Sequence, residues 1–204
     1  MKRRVLIFLM LLTGHLVYGG NKEKALPKAS FGAEWSYMAT FFSAYHYNFF
    51  DPDGFRVNEK GSAASYFTNG EVCLHVGYNV NALWNIALYA GYAGAGNFHA
   101  VIPISVRATR FFGKSHMTDR WFAFCDIGSG ISVKNTPQEI YTGKLGGGYR
   151  LSLSRHTKID FIAALRTLYL HTDIEYFGDT LSDDLVNRND GYVSSLCFGI
   201  SLTF

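Results

Sequence analysis

The sequence predicts an all-β fold, one barrel of eight antiparallel strands in up-and-down order. Three observations predict it. The last thirteen residues, Tyr192 to Phe204 (YVSSLCFGISLTF), alternate at period two. Leu196, Phe198, Ile200, Leu202 and Phe204 take one face, and Ser195, Cys197, Gly199, Ser201 and Thr203 the other. Seven earlier segments alternate in the same way, with no segment of helical period competing. The connections divide into compact turns on one side and longer loops on the other.

In order along the chain, Phe31 to Tyr47 is the first strand, with Phe31, Ala33, Trp35, Tyr37, Ala39, Phe41 and Tyr45 on one face. Asn48 to Ser65, carrying DPDG and EKGS, reads as a long turn-rich loop. Tyr66 to Asn79 is the second strand, with Val72, Leu74 and Val76 opposite Glu71, Cys73 and His75. A turn near Asn81 leads to the third, Trp84 to Ala93, and Gly94 to Asn97 to the fourth, Phe98 to Phe112. There Pro103 belongs at a strand edge or bulge, because it has no N–H for a ladder.

After the polar turn Gly113 to Arg120 comes the fifth strand, Trp121 to Val133, which sets Phe122 and Phe124 on the face expected to point inward. Lys134 to Glu139 is a loop, Ile140 to Ser152 the sixth strand, Ser154 to Lys158 a tight turn and Ile159 to His171 the seventh strand. Thr172 to Asp190 reads as a long acidic loop before the closing strand. With both termini on one side, the two longest loops share the opposite rim. That asymmetry belongs to an eight-stranded antiparallel up-and-down transmembrane β-barrel, whose tilted crossings need about 9–11 residues each.

Composition agrees with this. The 204 residues suffice for one domain and are short for two. Phe (17) and Tyr (13) are abundant, while Pro (4) is scarce, as a strand-rich chain requires. Lys2, Arg3 and Arg4 precede the apolar Val5 to Leu12, and Val17 and Gly19 sit at −3 and −1 of a cleavage site near Gly19/Gly20. Residues 1–19 therefore read as a signal peptide, 20–30 as a periplasmic lead-in and 31–204 as the barrel. Three of the 19 Lys and Arg lie in that leader, which leaves 16 against 16 Asp and Glu. The surplus positive charge belongs to export, so nucleic acid is not an expected partner. Cys73, Cys125 and Cys197 lie inside strands and read as small packing residues, with a Cys73–Cys197 disulfide as the alternative.

A closing strand ending on Phe204 resembles that of bacterial outer-membrane β-barrels. IPISVRATRFF (Ile102 to Phe112) and LGGGYRLSLSRHTKIDFIAAL (Leu145 to Leu165) are similar to strand–turn segments of small outer-membrane barrels of the Bacteroidota type. The layout over residues 31–204 resembles the eight-stranded OmpA/OmpX-like barrels. The resemblance implies the cell outer membrane of a Gram-negative envelope, with outer-membrane lipids and the barrel-assembly machinery as partners. It implies further that Phe198, Ile200, Leu202 and Phe204 carry the signal that machinery reads.

The inner faces would hold Glu34, Glu71 and Asp126 against Arg107, Arg150 and Arg166, three acids and three arginines that a narrow lumen could cross-link. A barrel of eight strands is usually filled by its own side chains, so a charge-paired plug is the expectation and a narrow pore or transporter the alternative. Trp35, Tyr45, Tyr47, Trp84, Tyr92 and Trp121 are candidates for aromatic belts at the two membrane interfaces. Loops 48–65 and 172–190 are candidate sites for an extracellular ligand.

A lipid A-modifying enzyme is the second alternative. The stretch His171-Thr172-Asp173-Ile174 departs from the His-x-Ser-Asn pattern of lipid A deacylases, and Ser43, His46, Asp51 and Asp53 lie close in sequence without a fixed geometry. A secreted lipocalin-like barrel would reverse the faces and bury the apolar ones. No catalytic residue is assigned. No metal site is expected either, since the histidines lack ligand spacing, and no cofactor. GKLGGGYR (Gly143 to Arg150) lacks the order of a phosphate loop and lies in a strand. The expected role is structural or surface interaction.

Overall fold

The computed structural model describes residues 27–51, 53–95, 99–113, 118–133, 139–154, 156–171, 174–176 and 179–204. The expected leader (1–19) and most of the expected lead-in (20–30) lie outside the described residues. The strands are β1 (Ala29–Phe50), β2 (Arg56–Asn79), β3 (Trp84–Ala95), β4 (His99–Phe111), β5 (Arg120–Ser132), β6 (Ile140–Ser152) and β7 (Lys158–Leu170). Two short strands follow, β8 (Glu175–Tyr176) and β9 (Asp179–Thr180), then a 3-10 turn (Asp183–Leu185) and β10 (Val186–Thr203). The eight long strands close in the order β1-β10-β7-β6-β5-β4-β3-β2, each antiparallel to its neighbours. At the seam Phe31 N donates to Phe204 O (3.1 Å) and Phe204 N to Phe31 O (2.8 Å), with the two rings stacked 5.6 Å apart.

Alternation decides which side chains face in. On the outer face Leu74, Ile127 and Leu145 are each 67% exposed. On the inner face Arg107 and Arg166 are buried at 3% and Asp126 at 1%. Apolar outside and charged inside inverts a water-soluble protein. It matches a wall facing lipid, where every backbone polar group must bond within the barrel. This is a transmembrane barrel of the outer-membrane type.

Phe122 and Phe124 do point inward. Their cross-strand partners on β6 are Gly148 and Gly146, so two large rings fill the space left by two missing side chains. At Gly148 a Cβ would sit 1.9 Å from the Phe161 carbonyl oxygen and 2.6 Å from Phe122 Cζ, a position only glycine can occupy. Pro103 lies inside the barrel, away from any strand end. The β3–β4 register passes from Ala90↔Ile104 to Ala93↔Val101, interrupted opposite the proline that has no N–H to give.

Three sequence expectations need correction. Residues 48–65 are not a loop. β1 runs to Phe50, β2 begins at Arg56, and the turn between them is only 51–55, with Gly54 at positive φ (85°). The GSAAS stretch has the small residues of a turn, but it pairs along β1 from Gly61↔Tyr45 onward. Residues 186–190 likewise belong to β10, and 175–185 contain β8, β9 and the 3-10 turn. The third correction concerns faces. A bulge between Thr40 and Phe42 turns both Phe41 and Phe42 outward and inverts the parity beyond them. Tyr45 and Tyr47 therefore fall on the lumen side of β1, opposite to Trp35.

The long strands carry the sheet past the closed wall. Pairing of β2 with β3 starts at Glu71↔Ala93, and of β10 with β7 at Gly191↔Leu170. The β1–β2 and β1–β10 ladders continue to Phe50↔Arg56 and Phe49↔Val186. A three-stranded sheet, β2–β1–β10, thus stands above the rim opposite the termini.

Candidate functional site: the filled lumen and its rim

Arg107 lies at the centre of the lumen. Its Nη1 and Nη2 donate to Glu34 Oε2 (2.6 Å) and Oε1 (3.1 Å), and its Nε to Asp126 Oδ2 (3.0 Å). Its guanidinium carbon lies 4.0 Å from the Tyr89 ring centroid and 4.3 Å from that of Phe124. Two carboxylates hold the cation by its edge while two rings cover its faces, the arrangement a planar delocalised ion favours. Asp126 neighbours Arg107 across the β4–β5 ladder, whereas Glu34 reaches it from β1, three strands round the ring.

A second tie crosses the full width. Lys144 Nζ on β6 meets Glu71 Oε2 on β2 at 2.6 Å, four strands apart in either direction. Cys73 Sγ donates to the other Glu71 oxygen at 3.3 Å. Nearer the termini, Arg150 makes a two-pronged pair with Asp160, 2.6 Å on each prong. The sixth residue of the expected set, Arg166, forms no ion pair among the described residues. Its Nε donates to Thr142 Oγ1 (3.3 Å) and its Nη1 to Met38 Sδ (2.9 Å).

Lys144 and Asp160 are the partners that sequence reasoning left out of this set. Their signal was present: Lys144 alternates with Thr142 and Gly146 on the inner face, and Asp160 with Ile162.

Above the charged layer, towards the sheet, the lumen turns apolar. Met38, Ala93, Val101, Ile140 and Leu168 are all buried at 3% or less and pack with Leu170 and Val193. Below it, near the termini, a cavity of about 20 Å³ is bordered by Ser30, His75, Asn85 and Arg150. That is room for about one water. The interior is thus an apolar cap, a layer of cross-lumen ion pairs and a mixed base, where Phe111, Phe122 and Ile162 border the same cavity as the polar groups.

On the outer wall Trp35 (54% exposed), Trp84, Tyr92 and Trp121 face outward. Trp121 meets Tyr149 edge-on at 5.0 Å, and Trp35 sits between Ile200 and Val72. Tyr45 and Tyr47, on the other side, stack at 5.0 Å, and Tyr45 Oη donates to Glu59 (3.1 Å). Tyr192, Tyr169 and Tyr141 form instead a continuous outward row across β10, β7 and β6. Phe198, Ile200, Leu202 and Phe204 line the outer face of β10.

The rim residues weighed for catalysis do not assemble. Ser43 faces inward and bonds Ser65, whereas His46 faces outward and bonds Asn58 at 3.1 Å. Asp51 Oδ1 accepts from Phe55 N at 2.8 Å, closing the turn. Thr172 and Asp173 of the other candidate stretch lie outside the described residues. Cys73, Cys125 and Cys197 are free thiols, the first and last buried in the lumen and Cys125 exposed on the outer wall.

No protein-family model matches the chain, and no curated sequence does. Among solved structures it is similar to the outer membrane protein OprG of Pseudomonas aeruginosa (11% identity, 90% of this chain and 99% of that one, TM-score 0.49). It is also similar to Neisserial surface protein A (14%, 87% and 100%, 0.46) and to the N-terminal β-barrel domain of Pseudomonas aeruginosa OprF (13%, 83% and 97%, 0.42).

Proposed function

We propose that this protein is a plugged outer-membrane barrel whose role is structural and interactive: a rigid anchor in the membrane that displays a three-stranded sheet outside. The observation that carries this reading is the lumen, where Lys144–Glu71 and Arg107–Glu34 tie opposite walls beneath an apolar cap. A solute path would need a continuous wet passage, and buried ion pairs flanked by tightly packed aliphatic side chains oppose one. The sheet supplies the surface for contact. Its lumen side carries the stacked Tyr45 and Tyr47, and its tip carries Phe55, 71% exposed. Partners at 48–65 and 172–190 would therefore meet the strand edges and the hairpin tip.

The test is electrical. The refolded full chain, checked for the mobility shift of a closed barrel on heating, is inserted into a planar bilayer under voltage. The expected result is insertion without unitary currents. Stepwise, reproducible currents would replace this reading with a narrow pore.

A further inference from the structure

Two cations inside the barrel have no counter-charge among the described residues, and both lie at the rim that carries Ala29 and Phe204. Arg120 opens β5 and Lys158 opens β7, each on the inner face and each buried. Arg120 Nη1 donates to the Ala82 carbonyl at 2.6 Å, while its Nε has no hydrogen-bond partner. Lys158 Nζ donates to the Ser154 carbonyl at 2.6 Å. Arg150 stands between them on β6 and commits both prongs to Asp160. Among the described residues that is the one ion pair these three cations make. Asp119 lies nearby, exposed, and its Oδ1 accepts from Ser152 N at 2.8 Å.

The register brings these groups together. Arg120 is the cross-strand neighbour of Arg150, and Lys158 is the neighbour of both Ser152 and Thr203. Arg150 and Ser152 are one pleat apart on the same face of β6. The guanidinium carbons of Arg120 and Arg150 lie 4.0 and 4.4 Å from the centroid of one ring, Phe111. Ser152 Oγ and Thr203 Oγ1 are buried and, like Arg120 Nε, have no partner. Thr203 borders the small basal cavity together with Arg150 and Asp160. Four consecutive strands of the ring, β5, β6, β7 and β10, thus bring their ends into one cluster of donors. Like charges directly opposite one another repel, and a buried cation without a counter-ion is costly. Unsatisfied polar atoms beside uncompensated cations are the setting in which a bound ion is expected.

We propose that this rim binds a doubly charged oxyanion, sulfate or hydrogen phosphate, between Arg120 and Lys158, with the Ser152 and Thr203 hydroxyls as further donors. Two uncompensated cations match such a charge. The forked donors of a guanidinium match an oxyanion, which offers several acceptor oxygens where a halide offers one point charge. The site stands apart from the Arg107 and Lys144 pairs, which have carboxylates of their own. It adds a tie across the ends of four strands, and it makes the closure of this rim respond to an anion in the surrounding medium.

The refolded full chain in detergent is titrated with sodium sulfate, and separately with sodium phosphate, against sodium chloride of equal ionic strength. Calorimetry reads the binding, and the urea midpoint is followed alongside. The wild type should bind sulfate and phosphate saturably, with a midpoint that rises and then levels off. Salt exclusion from the protein surface would raise the midpoint without saturating. Arg120→Gln and Lys158→Gln each remove one charge-assisted donor, so each should bind sulfate about tenfold more weakly. No saturable binding by the wild type, unchanged affinity in either variant, or an equal response to chloride would each overturn the proposal. If Arg120→Gln fails to give the heat-shifted band of a closed barrel, Lys158→Gln carries the test. The same tenfold loss is then expected, and an unchanged affinity would overturn the site.

Discussion

Arg107 and Glu34 face one another across the barrel, joined by two hydrogen bonds of 2.6 and 3.1 Å between walls three strands apart. Both are at least 96% buried, so neither charge has water to fall back on. Such a pair holds the barrel's cross-section in a way that wall hydrogen bonds cannot, because those run only between adjacent strands.

Removing one partner should therefore be far worse than removing both. Glu34→Ala leaves Arg107 with Asp126 alone and should destabilise the barrel by about 3–5 kcal/mol, whereas Glu34→Leu/Arg107→Met should recover most of that loss. Urea unfolding in detergent, followed by tryptophan fluorescence, reads both. Equal losses for the single and double variants would contradict a coupled pair.

The apolar cap and the charged layer are barriers in series. Met38→Ala/Leu168→Ala removes side chains from the cap but leaves Lys144 and Glu71 joined below it. That variant should stay silent in a planar bilayer. Adding Glu71→Ala/Lys144→Ala should produce a cation or anion leak. Currents from the first variant alone would mean that the charged layer does not close the lumen.

The lipid face can be tested by one charge. Leu145 stands near the middle of β6 and points outward. Leu145→Arg should cost ~2–4 kcal/mol of stability in lipid, the price of an arginine at the bilayer midplane. The same change should matter much less in a detergent micelle, which deforms around it. Equal destabilisation in both media would argue against a spanning wall at this position.

Phe204 closes the seam, and the assembly role expected of it separates from that contact by measurement. Its backbone closes the seam with Phe31 through hydrogen bonds that any residue would keep, and its ring stacks on Phe31. Phe204→Ala should lower stability in vitro by about 1 kcal/mol, the scale of an aromatic pair. If the terminal strand is the assembly signal, the amount reaching the outer membrane in cells should fall severalfold, more than that stability change explains. An unchanged amount in the membrane would remove the signal from this residue.

The strand count and the ring of antiparallel neighbours were legible in the chain, because each depends on period-two alternation, a local property. Leu196 to Phe204 and Val72 to Val76 show their faces without any partner. Alternation fails wherever a residue is inserted. The Thr40/Phe42 bulge leaves no mark on composition, yet it moved Tyr45 and Tyr47 to the lumen side and turned two consecutive phenylalanines outward. Turn chemistry misled in a similar way at 56–65, whose glycine and serines resemble a loop until β1 offers a ladder.

Only the closed ring decided who pairs with whom. Glu71 and Lys144 are 73 residues apart and four strands distant, so their contact is set by barrel radius and register. The same register laid Lys60, His46 and Asp190 in one row, a pleat beyond Ser62, Ala44 and Tyr192. By itself the sequence determined which side of the wall residues take along an unbroken strand. The tertiary structure decided which of them meet, because opposition across a lumen is a property of closure and no single strand contains it.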